Sequence, residues 1–411
     1  MEKIAELLHQ YRQGKGLPAA FYTSNEIFKF DVEQIFKKTW IYVGVVSEFK
    51  KKGEFRVVQV DNNSIILVRD EQGDIRAFHN SCRHRGAQIC VTEKGNVPKL
   101  VCPYHQWVYG LNGDLIYAGR MGESFSCKGN GLKPVAIESI AGLLFINLSK
   151  DPSYADIEKM KTDLAPYVGF YQLDRLKVAK EIDIIEKANW KLVVENNREC
   201  YHCNANHPEL LKSWPPFGAG FGWPDDPREA AAIAKKIDEA YAVKRPLWDS
   251  MGMTHEPLDL TADRWYRAMM MILENGALSQ TMNGELACKK LLPGFTEPDN
   301  SDLSMWTHFN SWHHFMCDHV VTTMAIPISE SETLVRTRWL VHEDAQEGVD
   351  YDLDNLTHVW VQTNDQDRWL AEINHAGIRS DAYQPGQYSE ETEGLVMNFI
   401  GWYIKQLQSG I

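Results

Sequence analysis

The chain has 411 residues, 44% of them hydrophobic and 24% charged, with a formal net charge of −13. That is ample for one large or two ordinary domains, and the acidic balance argues against a nucleic-acid partner, which needs a concentrated basic face. No apolar run approaches the roughly 18 residues of a membrane span, and eight cysteines are too few for a disulfide scaffold, so a reducing cytoplasm is the expected compartment.

The first segment, "MEKIAELLHQYRQGKG", predicts a short amphipathic helix and not a signal peptide. Residues 1–38 are expected to form a helical segment packed on the larger domain. Between Trp40 and about Asn147 strand follows strand. "FRVVQV", "IILVRD" and "IRAFHN" are β-rich runs separated by the hairpin signals "DNNS" and "EQGD", and "LLFINL" closes the series. This predicts a small antiparallel β domain over 39–155. The texture then changes. "KVAKEIDII" predicts a strand, the start of "NWKLVVENNRECYHCNANHPELL" a helix, and 210–300 a loop-rich stretch punctuated by Pro215, Pro216, Pro224 and Pro227. Strands follow at "HVVTTMAIPI" and "ETLVRTRWLV", then a long helix from about Leu353 to Ala376. The predicted fold class is α+β: the β domain, then a larger domain over 156–411 with an antiparallel sheet and helices.

Two Cys/His pairs fall on loops of the β domain. Cys82 and His84 read Cys-x-His, Cys102 and His105 read Cys-x-x-His, and seventeen residues separate the pairs. Zinc fingers use the same four donors, but as a CxxC pair followed by an HxxxH pair. Mixed pairs suit a two-iron cluster in which one iron takes two thiolates and the other two imidazoles, the Rieske arrangement. Its neutral histidines raise the potential above that of an all-cysteine cluster.

Such a cluster only carries electrons, so a destination is expected downstream. "NNRECYHCNANHPEL" offers Glu199, His202 and His207. On a helix Glu199 and His202 share a face, and Pro208 suits a bend that turns His207 back towards His202. Two histidines and a carboxylate make the facial triad of a non-haem Fe(II) oxygenase, with positions left for O₂. The carboxylate should come from "TNDQDRWLAEINHAGI", which offers Asp365, Asp367 and Glu372. Cys200 and Cys203 form a CxxC around His202. Without a βαβ setting they read as packing thiols near the iron and not as a redox dithiol. "FGAGFG", ending at Gly222, follows "WPP" and not a strand, so it reads as a loop and not as a dinucleotide fingerprint.

"CRHRG" followed by "CPYHQWVYGLNGDL" resembles the Rieske domain of ring-hydroxylating oxygenases. "ENNRECYHC…HPELL", "RWLVHEDAQEGVDYDLDNLTHVW" and "HAGIRSDAYQPGQYSEETEG" extend the resemblance over nearly the whole chain. Within that family these blocks look like glycine betaine monooxygenases and proline betaine (stachydrine) demethylases more than naphthalene- or biphenyl-type dioxygenases. The resemblance implies a [2Fe-2S] cluster on Cys82, His84, Cys102 and His105. It implies a mononuclear Fe(II) on His202, His207 and Asp367, the carboxylate about three turns before the glycine that ends the long helix. Glu199 is implied to bind no metal but to link His202 to the Rieske His105 of the next subunit in a ring-shaped homotrimer. The family usually has Asp there, so the link in this chain is one methylene longer. Electrons are implied to come from NAD(P)H through a separate flavin and iron–sulfur reductase.

The implied reaction is an O₂-dependent monooxygenation of an N-methyl group, which releases formaldehyde from a small quaternary ammonium betaine. Glycine betaine comes first and proline betaine next, with carnitine or choline as alternatives. A quaternary ammonium donates no hydrogen bond, so its natural receptor is a set of aromatic faces, at about 0.5–2 kcal/mol per contact. "MWTHFNSWHHF" and "DRWYRAMMMI" hold the cage candidates Trp265, Trp306, Phe309 and Trp312, each of which also suits an ordinary core. His308, His313, His314 and His319 read as one strand of alternating core and pocket residues and not as a further metal site. Two rival readings stand beside this one: a cis-dihydroxylating dioxygenase acting on an apolar arene, and an electron-transfer or metal-binding protein whose second site is structural.

Overall fold

In the computed structural model, which describes residues 2–218, 221–261 and 264–410, the first β-rich stretch forms a seven-stranded antiparallel sheet. Its order is Ile41–Val45, Leu143–Asn147, Pro134–Ile140, Ile75–His79, Asn63–Arg69, Glu54–Val60 and Lys94–Asn96. Both hairpin signals are turns, with Val60 opposite Asn63 and Arg69 opposite Ile75. Ala141 and Gly142 make the last connection with φ of 46° and 100°, the left-handed pair a two-residue hairpin needs. A three-stranded sheet, Leu100–Val101, Val108–Tyr109 and Leu115–Tyr117, carries the second Cys/His pair on its first turn.

The larger unit is built on a six-stranded antiparallel sheet. Its order is Leu176–Glu186, Glu332–His342, Val320–Ser329, Ser311–Phe315, Ser301–His308 and Arg267–Ile272. The middle strands are buried almost throughout, because the helices Trp190–Asn197 and Leu353–Ile378 and the strand Ile41–Val45 all pack against this sheet. Asn310, at the tip of the hairpin joining Ser301–His308 to Ser311–Phe315, bonds the backbone N–H and C=O of Tyr42 at 3.1 and 3.0 Å. The two sheets therefore share a core. The N-terminal segment is tied to the larger unit by buried Asp31, which accepts from Lys191 Nζ, from Trp190 Nε1 at 3.1 Å and from Tyr403 Oη at 2.7 Å.

Charges cross the same boundary. Arg56 of the first sheet meets Glu48 at 2.6 Å and Glu181 at 2.9 Å, while Arg338 reaches Glu181 at 2.8 Å. Burial opposes the ionisation of Glu181, but Arg338, Arg56 and Arg336 outweigh it and hold the carboxyl down at about 2. With a depressed folded pKa, this stabilisation is complete above the unfolded value of 4.5 and is lost as pH falls through about 2. Between about pH 5 and 2 the wild type should thus lose stability on the order of a few kcal/mol beyond any loss in Glu181→Gln. Parallel melting curves for the two proteins over that window would refute the assignment.

The stretch 210–300 is not the run of loops its prolines suggest. Pro227–Met251 is a 25-residue helix whose N-cap, Asp226, accepts from the Arg228 N–H, with Pro227 in the first turn where its missing N–H is harmless. Only Trp248 of this helix is buried, so no apolar stripe announces it in the sequence. Arg267–Ile272 is an edge strand of the larger sheet. Ala219 and Gly220 of "FGAGFG" lie outside the described residues. A C-terminal helix, Gly394–Gln408, packs Phe399 and Tyr403 against Trp190. Among the described residues no helix is long and apolar enough to cross a membrane.

Candidate metal centres and the cavity beside them

Each Cys/His pair rides a tight backbone turn. Gly86 N–H donates to Cys82 C=O at 2.9 Å, and Gln106 N–H donates to Cys102 C=O at 3.1 Å. Gly86 and Gln106 take positive φ of 78° and 56° to close these turns. The two thiols are buried in a small core with Trp107, Tyr109 and Leu100, whereas His84 is half-buried and His105 exposed. The imidazoles face each other with their Nδ1 atoms 3.1 Å apart, and Trp107 stacks on His84 at 4.9 Å. Two buried thiols and two outer imidazoles, with their Nδ1 atoms side by side, divide the donors as a mixed-ligand diiron cluster requires, sulfur to one iron and nitrogen to the other. An HxxxH zinc finger would not divide its donors in this way.

The second group of donors gathers below the end of the helix Trp190–Asn197. Glu199 and His202 do not share a helix face, as the sequence suggests. The helix ends at Asn197, Glu199–His202 is a turn, and His202 caps the four-residue helix Cys203–Asn206. The turn delivers the same contact by another route: Glu199 Oε1 lies 2.6 Å from His202 Nδ1. His207, turned back just before Pro208, has its Nδ1 2.8 Å from Gln366 Oε1, and the Gln366 amide is oriented because its nitrogen donates to Glu209 at 2.7 Å. Both Nδ1 atoms therefore face acceptors and carry the protons, which leaves both Nε2 lone pairs pointing inward.

Those lone pairs meet. His202 Nε2 and His207 Nε2 are 3.0 Å apart, and Asp367 Oδ1 lies 3.2 and 3.0 Å from them. Three acceptors facing one another repel unless a cation lies between them. Adjacent corners of an octahedron with bonds of roughly 2.1 Å are roughly 3.0 Å apart, so the spacing fits a metal held on one face. Burial works against charge here. Even so, Asp367 and Glu199 push the His202 imidazole up to about 10, and the two imidazoles hold the Asp367 carboxyl down at about 2. A proton is thus drawn to the place a divalent cation would fill.

Asp367 reaches this point because it belongs to the inner stripe of the helix Leu353–Ile378, with Leu356, Trp360, Thr363, Ala371 and Ile378. Asp365 lies off that stripe, half-exposed and paired with Arg368 at 3.1 Å. Glu372 Oε1 accepts from the Lys187 N–H at 3.0 Å. Cys200 and Cys203 are not free packing thiols: they form a disulfide with Cα atoms 4.9 Å apart across the turn. Cys203 is close to His202 and His207, but its sulfur is committed to that bond, and Asp367 is the nearer donor.

A cavity of about 70 Å³ opens on the three donors, between the helix Leu353–Ile378 and the edge of the six-stranded sheet. Of the four cage candidates only Trp306 lines it. Trp265 packs on Trp402 at 4.4 Å and faces a separate cleft, Phe309 stacks on Trp402 at 5.1 Å in the core, and Trp312 is buried in one apolar cluster with Trp306 but does not line the cavity. The reason is that "MWTHFNSWHHF" is two strands turning at Phe309 and Asn310, which splits the residues of one imagined strand between different neighbours. The aromatic wall instead comes from Trp214, Trp360 and His314, with His314 stacked on Trp360 at 4.4 Å and 5.2 Å from Trp214. His314 Nδ1 lies 2.8 Å from buried Asp302, which also accepts from Gln280, so the wall is rigidly held. Trp360 sits two turns before Asp367 on the same stripe, a spacing the sequence did carry. Trp214, from the loop after His207, left no such signal.

Residues 39–128 match the family described as Rieske [2Fe-2S] domain, and residues 173–409 match the ring hydroxylating alpha subunit, catalytic domain. The glycine betaine monooxygenase oxygenase subunit of Pseudomonas aeruginosa is 42% identical over 410 residues, covering 99% of this chain and 92% of the relative. That of Chromohalobacter salexigens is 44% identical over 407 residues, 98% of this chain and 88% of the relative. Among solved structures, a quaternary ammonium Rieske monooxygenase bound to an inhibitor superposes with a TM-score of 0.73 at 20% identity, covering 98% of both chains.

Proposed function

We propose, because the chain belongs to the family of ring hydroxylating alpha subunits that carry a Rieske [2Fe-2S] domain, that it removes an N-methyl group from a small betaine, glycine betaine foremost and proline betaine next. Identity of 42–44% over nearly the full length to glycine betaine monooxygenase oxygenase subunits supports that choice. The single observation that carries the chemistry is the convergence of His202 Nε2, His207 Nε2 and Asp367 Oδ1 at 3.0–3.2 Å on the floor of an aromatic-walled cavity. We take residues 1–38 as a helical segment, 39–155 as the Rieske domain and 156–411 as the catalytic domain.

His202, His207 and Asp367 would hold the mononuclear iron, and Cys82, His84, Cys102 and His105 the cluster. When bound, the iron supplies O₂ activation and the cluster supplies electrons one at a time. Trp214, Trp360 and His314 bind the ammonium by its methyl faces and keep one methyl group towards the iron ligands. Glu199 holds the Nδ1 proton of His202 and so fixes its Nε2 as a ligand; its charge is the half-link to His105 of the partner subunit in a homotrimer. The overall change takes one O₂, two electrons and two protons, inserts one oxygen into a C–H bond and releases water. The resulting N-hydroxymethyl compound breaks its C–N bond, giving formaldehyde, the demethylated amine and a proton, and this step asks for no catalytic residue. Electrons come from NAD(P)H through a separate reductase, in the cytoplasm.

The test is a reconstituted reaction with a matching reductase, NADH, O₂ and glycine betaine. Equimolar formaldehyde and dimethylglycine support the reading. A diol from naphthalene with no formaldehyde from any betaine moves the protein to the ring dioxygenases, and absence of O₂ uptake with every substrate removes it from the oxygenases.

A further inference from the structure

The same cavity is lined by two arginines, Arg198 and Arg267; Arg267 lies opposite Trp306 on the neighbouring strand, two residues along from Ser304, the partner of His314. Arg198 is 4% exposed, and its guanidinium donates to backbone carbonyls of His308 at 3.0 Å and Phe309 at 3.2 Å and to the side chain of Asn197. Arg267 is half-buried and its hydrogen bond goes to the sulfur of Met269, a weak acceptor. Among the described residues neither guanidinium has a carboxylate within ion-pairing distance; Asp259 acts on Arg267 only from further away. Each is instead held over the ring of Trp306, Arg198 at 4.3 Å and Arg267 at 5.0 Å. Arg267 and Trp306 are direct cross-strand partners, so the sheet register itself sets this arrangement.

Two desolvated cations side by side without a counter-ion are costly, and the cost falls if an anion enters between them. Trp306 cannot also be a wall for an ammonium ion, because its π faces already hold cations. The cavity is thus divided: an aromatic end at Trp214, Trp360 and His314, and a cationic end at Arg198 and Arg267. With room for about five water-sized groups, it suits a ligand whose opposite charges are close together.

We propose that Arg198 and Arg267 form a carboxylate subsite that selects betaines over quaternary ammonium alcohols and turns the N-methyl end of the ligand towards His202, His207 and Asp367. The proposal rests on the betaine reading of the cavity and adds the residues that recognise the acid group. Guanidinium pairs match carboxylates in charge and in planar donor geometry, and such charge-assisted bonds are among the strong ones. Arg198 also braces the Phe309–Asn310 turn through its carbonyl contacts, so its replacement risks the fold. Arg267 is the better probe.

The experiment is calorimetric titration of the metal-loaded protein without reductant, using glycine betaine, choline and acetate, on wild type, Arg267→Gln and Arg198→Lys. Folding of each variant is checked by thermal melting and by the cluster's visible absorbance. In Arg267→Gln, glycine betaine affinity should fall about 10- to 100-fold and acetate should no longer compete, with choline binding unchanged. Arg198→Lys, which keeps the charge but loses the planar fork, should weaken glycine betaine less. Wild-type affinity of Arg267→Gln for glycine betaine, or an equal loss for choline, would overturn the subsite. If no betaine yields formaldehyde the reaction assigned above fails on its own, while arginine-dependent acetate binding still decides this proposal.

Discussion

Asp367→Ala and His207→Ala should each abolish formaldehyde release, with iron content falling to that of the cluster alone and the cluster's absorbance intact. Removing an outer partner of a metal ligand costs about 10- to 100-fold in affinity or activity, so removing a ligand should cost more than about 100-fold. In either variant the remaining donors no longer surround a cation on three sides. The two lesions should also resemble each other, because His207 Nε2 and Asp367 Oδ1 are only 3.0 Å apart and act on one ion. Asp365→Asn supplies the contrast: that carboxylate pairs with Arg368 at the surface and its loss should leave iron content and turnover unaltered. Metal analysis with a parallel formaldehyde assay decides the matter. Iron lost from Asp365→Asn but retained in Asp367→Ala would reverse the assignment of the third ligand.

Glu199→Gln should separate the two centres without emptying either. The carboxylate accepts at Oε1 from His202 Nδ1, and Oε2 accepts from the backbone N–H of Tyr201, which pins the side chain with no part in coordination. The amide can still accept one bond, so His202 keeps its orientation and the iron stays. What disappears is the negative charge that a second, positively polarised imidazole needs on the opposite side. With Glu199 as the proposed bridge to His105 of a neighbouring subunit, single-turnover oxidation of the pre-reduced cluster should slow by about 10- to 100-fold, comparable to loss of a metal's outer partner. Glu199→Asp, with the charge kept and a methylene removed, should recover part of that rate. Unaltered single-turnover kinetics in Glu199→Gln would leave the carboxylate with the orientation of His202 as its only task.

The cluster end was legible because its chemistry is local. Cys82, His84, Cys102 and His105 sit on two short turns, and the spacing within each pair lets one turn offer a thiol to one iron and an imidazole to the other. The His202 and His207 pair was legible for the same reason, although the backbone there is a turn and not the helix that was expected. Glu199 meets His202 in either conformation, since residues three apart are neighbours in both. Helical periodicity would also have chosen Asp367 over Asp365, as only Asp367 continues the stripe of Trp360 and Thr363.

The substrate end was not legible. Pro227–Met251 exposes nearly all of itself to solvent and so carries no apolar period to be read. Trp265, Phe309 and Trp312 have the composition of a cage and the neighbours of a core. Sequence by itself offered the candidate donors, their order and the kind of metals they would suit, because coordination chemistry needs particular atoms and most of these lie at short separations along the chain. Only the tertiary structure decided that Trp214, Trp360 and His314 make one wall and Arg198 and Arg267 the other. These residues come from a loop, a helix, two strands and a helix end, up to 162 positions apart in the chain. Which of them face a common space depends on strand register and helix packing, and those are set by the burial of the whole core rather than by any local pattern.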